Sequence, residues 1–253
     1  MLNDERPSTN IDFPCLKKKE QMSRNYLIIG SNSAIGKEII NLLLDEGNQV
    51  FSVSRKPSGV SSEKVDHIIF DAGTETSFPD TFLPDELHGL VYCPGTIHLK
   101  PFKAIKPTRF EEDFRINVLG AVKSIQWAQK KLTHGSSIVL FSTVAVGTGM
   151  PYHASIAASK GAIEGLTRSL AAEFSPRIRV NAIAPSLTDT PLAERLINTP
   201  ERKQSSEERH PLKSIGQSQD MAAMANFLLS EQARWITGQI LHVDGGVSTI
   251  FKQ

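Results

Sequence analysis

The sequence predicts an α/β fold, a single doubly wound parallel sheet with helices on both faces. Two observations carry this reading. From residue 25 to the end, apolar runs of strand length alternate with stretches of helical periodicity. A glycine-bounded turn also joins the first strand to the first helix. Alternation at this spacing implies right-handed βαβ crossovers and a sheet covered on both sides. With no internal repeat and no interdomain linker, the 253 residues suffice for one domain with a full core.

The elements follow in order. Tyr26-Leu27-Ile28-Ile29 is the first strand, ended by Gly30. Ile35, Ile39, Ile40, Leu43 and Leu44 recur at helical spacing until Gly47 closes that helix. Strands are expected at Val50–Val53, His67–Phe70 and Gly89–Cys93, and then a long helix from Thr108 to Leu132. Ser137–Phe141 reads as the fifth strand. A helix from Ser155 to Phe174 follows, with Ser155 as its N-cap. Arg179–Ile183 is the sixth strand. The polar stretch from Thr199 to His210 reads as a mobile insertion over the site, because charged loops of this length are usually lids or disordered. A helix from Gln219 to Leu229 and a strand at Gln239–Val243 complete the domain.

Residues 1–24 are polar, carry a Lys17-Lys18-Lys19-Glu20 run and contain no apolar block. They read as a disordered N-terminal extension, or as an upstream start ahead of Met22, before a domain spanning residues 25–253. A formal net charge of +1 provides no bulk attraction to nucleic acid or acidic membranes, and neither is expected as a partner. No apolar stretch approaches the ~20 residues of a membrane span. Two cysteines, Cys15 and Cys93, cannot build a disulfide framework, which fits a cytoplasmic location.

Chemistry first shows in Gly30-Ser31-Asn32-Ser33-Ala34-Ile35-Gly36. Gly30 permits the turn off the strand, and Gly36 lets the helix approach the sheet. The helix N-terminus offers N–H groups and partial positive charge to a pyrophosphate. Gly30, Ser31, Ser33, Ile35 and Gly36 are therefore candidate dinucleotide-binding residues of a Rossmann-type domain. The second strand ends Ser54-Arg55-Lys56 without the carboxylate that would bond the ribose hydroxyls of NAD. Arg55 can instead clasp a 2′-phosphate, so NADP(H) is favoured over NAD(H), against the alternative of a solvated loop arginine. Asp71 after the third strand reads by itself as a strand-ending turn residue.

The segment Pro151-Tyr152-His153-Ala154-Ser155-Ile156-Ala157-Ala158-Ser159-Lys160 resembles the active-site helix of the short-chain dehydrogenase/reductase family, whose pattern is Tyr-x-x-x-Lys. Ala158, Ser159 and Lys160 fit, and Ile156 stands in the tyrosine slot. The resemblance runs from Tyr26 to the C-terminus. It includes Cys93-Pro94-Gly95 at the Asn-Ala-Gly position, Asn117 in Arg115-Ile116-Asn117-Val118, and Pro185-Ser186-Leu187-Thr188-Asp189-Thr190 at the Pro-Gly-x-x-x-Thr segment. The ending Trp235–Gly246 looks like the 3-oxoacyl-acyl-carrier-protein reductase branch. The resemblance implies cofactor contacts from Asp71 at the adenine and from Gly95, Lys160, Pro185 and Thr190, and a catalytic group of Thr143, Lys160 and Asn117. It also implies a homo-oligomer, dimer or tetramer, built on helices 108–132 and 155–174.

Thr143 lies thirteen residues before Ile156, at the family's serine position, and keeps the hydroxyl. Neighbouring Ser142 should point to the other face of its strand. Isoleucine has no proton to give, and general acid–base catalysis is typically worth ~10²–10⁴ in rate. Three readings of the site are open. Tyr152 or His153 supplies the acid, although lining the pocket is the favoured role for both; water or Thr143 supports the oxygen; or the chain binds a nucleotide without turnover, as a sensor or subunit partner. The favoured function is an NADP(H)-dependent oxidoreductase that interconverts a small-molecule carbonyl or acyl thioester with its alcohol, and no metal site is expected. One outcome follows from the N-terminal composition: a chain starting at Met22 should melt at the temperature of the full chain with the same oligomeric mass, because residues 1–21 lack the apolar surface needed to offset ordering entropy. A drop of several degrees in a calorimetric scan would contradict it.

Overall fold

Asn25–Ile29 (β1) sends alternate residues to opposite sides of the sheet, and this divides the core in two. Leu27 and Ile29 join one apolar cluster, while Tyr26 and Ile28 join another. The computed structural model describes residues 23–75, 78–79 and 81–250. Of the extension expected at 1–24, residues 1–22 lie outside them. Arg24 is tied to the body: its backbone N–H donates to Asn48 Oδ1 and its guanidinium pairs with Glu231 at 2.9 Å.

After β1 come helix Ala34–Asp45 (α1), strands Gln49–Ser54 (β2), Val65–Ile69 (β3) and Leu87–Tyr92 (β4), and helices Pro107–Phe114 (α2) and Gly120–Ala128 (α3). Strand Leu132–Phe141 (β5), a short helix Ala145–Thr148 (α4), the long helix Ala154–Phe174 (α5) and strand Ile178–Pro185 (β6) follow. The last part comprises Thr188–Asp189 (β7), Glu194–Ile197 (α6), Pro200–Arg209 (α7), Gly216–Gln217 (β8), Ser218–Leu229 (α8) and Ile240–Val243 (β9). Seven strands form one parallel sheet in the order β3-β2-β1-β4-β5-β6-β9, and β7 pairs with β8 apart from it. Residues of α3 and α5 pack in one core cluster, and residues of α1 and α8 in the other. This is the doubly wound, Rossmann-type arrangement the sequence predicts.

Four expectations need correction. The helix expected from Thr108 to Leu132 is not continuous. Arg115–Leu119 forms a π-helical turn, in which the Gly120 N–H donates to Arg115 O, and Asn117 Nδ2 donates to the Asp113 carbonyl at 2.7 Å. That helix ends at Ala128, because Leu132 pairs with Leu87 in the sheet and is fully buried there. Ser155 is not the N-cap of α5. His153 holds that position, and the Ser155 hydroxyl donates to Asp113 Oδ2 at 2.5 Å. Thr199–His210 is mostly helix, since Pro200 starts α7 and Thr199 caps it by accepting from the Arg202 N–H. No apolar periodicity announced it, because only Ser206 of this helix is buried.

Tyr92 Oη donates to the Ile116 carbonyl inside the π-helical turn at 2.6 Å. Gly120 lies against that phenol, and a Cβ there would collide with Tyr92 Oη. Gly120→Ala should therefore lower stability by ~1–3 kcal/mol through overpacking, although alanine is the better helix former by ~1 kcal/mol. Urea unfolding measures it; a stabilised variant would show that the ring gives way without cost.

Candidate active site

All seven strands of the main sheet run the same way, so their carboxyl ends form one crest. The strand order reverses direction between β1 and β4, and loops leave β1 and β4 on opposite sides there. Gly30 turns off β1 with φ +76°, and its N–H donates to Val53 O at 2.8 Å. Ser33 caps α1 by accepting from the Gly36 N–H at 3.0 Å. A Cβ on Gly36 would stand 2.7 Å from Gly30 O, which explains the glycine. Ile35 lines the cavity described below. Asn32 does work that the sequence did not reveal. Its amide donates to Lys56 O and Pro57 O, and its carbonyl oxygen accepts from the Gly59 N–H. These bonds pin the loop after β2 to the turn. Arg55 stands exposed at the start of that loop. Asp71 accepts from the Gly73 N–H at 2.9 Å and so closes its own turn.

Behind the turn lies a cavity of about 610 Å³. Gly95, Thr143, Tyr152, Ile156, Lys160 and Pro185 all border it, so the structure brings these sequence candidates together. Thr190 is not on its wall; its hydroxyl donates to Thr188 O. Ile156 and Lys160 sit one turn apart on α5, both buried. Lys160 Nζ donates to Phe141 O at 2.8 Å, and burial lowers its pKa from 10.5 to about 8. Ser142 spends its hydroxyl on Glu164 Oε1 at 2.9 Å. Thr143 accepts weakly from the Ala145 N–H at 3.4 Å and keeps its O–H to donate. Tyr152, with φ +70°, is 58% exposed at the cavity mouth, and the His153 ring bonds Pro151 O. Burial pushes the Cys93 thiol up to about 12, so it is an inert wall residue.

Two further features were not read from the sequence. Asp113 is wholly buried, and its carboxylate accepts from Thr96 Oγ1 at 2.7 Å and Ser155 Oγ at 2.5 Å, and contacts His98 Nδ1 at 2.9 Å. Asn117 Nδ2 donates to Thr96 Oγ1 as well as to Asp113 O. The only hint in the sequence was an acidic residue four before Asn117. The second feature is His210, which contacts Ser186 Oγ at 2.8 Å and Ser206 O at 2.7 Å at the lid side of the cavity.

The residues present fit a dinucleotide. Ser31 Oγ and Asn117 Oδ1 are buried atoms without a hydrogen-bond partner, and they stand at the turn after β1 and beside Lys160. A Cβ on Gly95 would lie 3.5 Å from both Asn117 Oδ1 and Lys160 Nζ, so this glycine keeps the space between them open. Buried polar atoms without partners are rare, and Ser31 Oγ and Asn117 Oδ1 can bond a ligand; the third among the described residues, Arg179 Nη1, lies on β6 away from the cavity. No helix of the described residues is long and apolar enough to cross a membrane.

Comparison with known proteins agrees with this geometry. Residues 29–248 match the sequence family described as Enoyl-(Acyl carrier protein) reductase. The chain is 30% identical to a tropinone reductase homolog of Arabidopsis thaliana, over 92% of this chain and 95% of that one. It is 29% identical to a 3-oxoacyl-acyl-carrier-protein reductase of Staphylococcus aureus, over 90% of this chain and 99% of that one. Among solved structures it matches ElxO with NADP bound at a TM-score of 0.80 and 25% identity, covering 90% of this chain and 100% of that chain.

The depressed Lys160 pKa has a consequence for stability. Between about 8 and 10.5 the unfolded chain holds a proton on this group that the folded chain has lost. The burial penalty is thus full below about 8 and relieved as pH rises through that window. Lys160→Met should gain stability over wild type near pH 7, and the gain should shrink by about pH 10. Urea unfolding of both proteins at the two pH values checks this; an equal difference at both would contradict it.

Proposed function

As a member of the short-chain dehydrogenase/reductase family, to which this chain belongs, the protein is an NAD(P)-dependent oxidoreductase, and we propose that it reduces a small carbonyl compound in the cavity behind the phosphate turn, with NADPH as preferred hydride source. The observation that carries this reading is the meeting of Thr143 and Lys160 in one apolar-walled cavity behind that turn, with Asn117 Oδ1 close to the space that Gly95 leaves open beside Lys160. When bound, the nicotinamide supplies the hydride that reaches the carbonyl carbon. The chain's own residues do the rest. The N–H groups at the start of α1, with Ser31 and Ser33, hold the pyrophosphate. Arg55 clasps the 2′-phosphate, and Asp71 with its turn borders the adenine. Gly95, Pro185 and Thr190 complete the cofactor cradle, with Ile35 against the nicotinamide half. Lys160 holds the ribose, and Asn117 Oδ1 accepts beside it. Thr143 donates its O–H to the substrate oxygen.

Ile97, Leu99, Ile156, Leu192 and Leu196 make the walls apolar, which suits a substrate with a hydrocarbon body. A cyclic ketone and a 3-oxoacyl thioester are the two classes suggested by the names of the relatives. Tyr152 lines the mouth: its exposure favours a pocket-wall role over proton donation. Phe114 and Leu119 expose apolar surface on the α2–α3 segment, which supports a homo-oligomer joined through that segment and α5.

The experiment is NADPH oxidation by the purified protein against both substrate classes, with NADPH and NADH affinity measured for wild type and Arg55→Ala. We expect turnover of at least one class. A charge-assisted bidentate contact contributes ~1.5–3 kcal/mol, so NADPH affinity should fall by about 10- to 100-fold in the variant while NADH affinity holds. Equal NADPH affinity in the two proteins would sink the cofactor assignment, and no turnover with NADPH bound would sink the reaction.

A further inference from the structure

We propose that Ser186 and His210 form the proton source for carbonyl reduction, taking over the task that Ile156 cannot perform; this rests on the carbonyl-reduction reading above. Ser186 follows Pro185 at the end of β6, and both Ser186 and His210 border the cavity that holds Thr143, Ile156 and Lys160. His210 is almost fully buried at the C-terminal end of α7. Its Nδ1 lies 2.7 Å from Ser206 O, and a carbonyl only accepts, so Nδ1 carries a hydrogen. In the neutral ring Nε2 then presents a lone pair, and Ser186 Oγ at 2.8 Å donates to it. In the charged ring Nε2–H donates to Ser186 Oγ, and the serine O–H turns toward the cavity. A Cβ on Gly245 would lie 3.6 Å from His210 Cδ2, so the chain passes close to the ring there. The imidazole is thus bonded at both nitrogens, at Nδ1 by Ser206 O and at Nε2 by Ser186 Oγ.

The other acid groups on the wall are worse placed. The Tyr152 side chain is mostly exposed, the His153 ring is spent on Pro151 O, and Lys160 Nζ is directed at Phe141 O. Ser186 stands where the related family has glycine, so its hydroxyl is an addition of this chain.

The step balances. A hydride from NADPH forms the new C–H bond, and the π pair of the carbonyl moves onto oxygen. That oxygen takes the Ser186 hydroxyl proton as the Ser186 oxygen takes the Nε2 proton of the His210 imidazolium. The carbonyl is reduced, NADPH is oxidised, and the one solvent proton that the overall reduction consumes restores the imidazolium.

The test uses Ser186→Gly and His210→Gln beside wild type, reading NADPH affinity, melting temperature and kcat on whichever carbonyl class wild type reduces. Loss of a general acid lowers rate by ~10²–10⁴, so kcat should fall by at least about 10²-fold in both variants while NADPH affinity holds. Ser186→Gly restores the family's residue, so a merely structural serine predicts unchanged or higher kcat. Adding Ile156→Tyr to Ser186→Gly should recover turnover, because the phenol then sits one turn from Lys160. Independently of activity, ¹⁵N NMR of the His210 ring should show hydrogen on Nδ1 in the neutral form, and an Nε2 shift on Ser186→Gly. Turnover that survives both substitutions, or a neutral ring with its hydrogen on Nε2, overturns the relay and leaves the carbonyl reading standing. Failure of wild type to reduce either class with NADPH bound overturns the reading and the relay together. If His210→Gln melts, the Ser186→Gly kinetics and the NMR result still decide.

Discussion

Parallel pairing of β1 with both β2 and β4 is the constraint on which the rest of the molecule depends. It places the carboxyl ends of the strands on one crest and opens a crevice where the loops part. The two loops that flank the crevice are also locked to each other. A Cβ on Gly30 would stand 2.9 Å from Pro94 Cδ, so the phosphate turn and the Cys93-Pro94-Gly95 segment can approach only because residue 30 is glycine. The positive φ at Gly30 and this close approach are separate demands on the same position, and glycine meets both.

A second dependence runs through the π-helical turn. An ordinary α-helix through Arg115–Leu119 would leave Asn117 directed by helix geometry alone. Instead Tyr92 from β4 draws the Ile116 carbonyl, and Asn117 Nδ2 takes up the Asp113 carbonyl and Thr96 Oγ1. The amide is thereby oriented with its oxygen left over for the site. Asp113 completes the arrangement. A wholly buried carboxylate is costly unless hydrogen-bonded, and Thr96 and Ser155 meet that need by donating to it, one on each oxygen. Ser155 precedes Ile156, so this bond also fixes the start of α5 relative to the helix that carries Asn117.

The sheet was legible because fully buried parallel strands need continuous apolar runs, and Leu27–Ile29, Leu90–Tyr92 and Ile138–Leu140 are such runs. Helix α1 was legible because one face alone meets the core. Less visible were elements whose reasons lie far away in the chain. Leu132 has apolar character suited to a helix end, yet its partner is Leu87. Helix α7 buries almost nothing and rests on its cap, a signal shorter than any periodicity. In the site, Gly30 and Gly36 are readable because backbone geometry demands them, and Lys160 because its segment resembles a known active-site helix. Asp113, Asn32 and His210 are not, because each acts through a partner that only the fold brings near.

Ile156 shows how the loss of one polar group redistributes work in a closed site. A phenol in that place would sit on the α5 wall beside Lys160; isoleucine makes that wall apolar, and Lys160 is left with the Phe141 carbonyl as its partner. On the proposed reading, a carbonyl oxygen that must gain a proton takes it from Ser186 and His210, which border the same cavity as Ile156 and Lys160. His210 is anchored by Ser206 of α7, and Leu192 and Leu196 of the same region border the cavity. Leu192 and Leu196, which would enclose an apolar substrate, and the proposed proton-holding pair therefore border one cavity. In such a site, burial of the substrate and delivery of the proton depend on the same packing, and exclusion of water strengthens the polar contacts when they form. On the proposed relay this favours substrates long enough to reach Leu192 and Leu196.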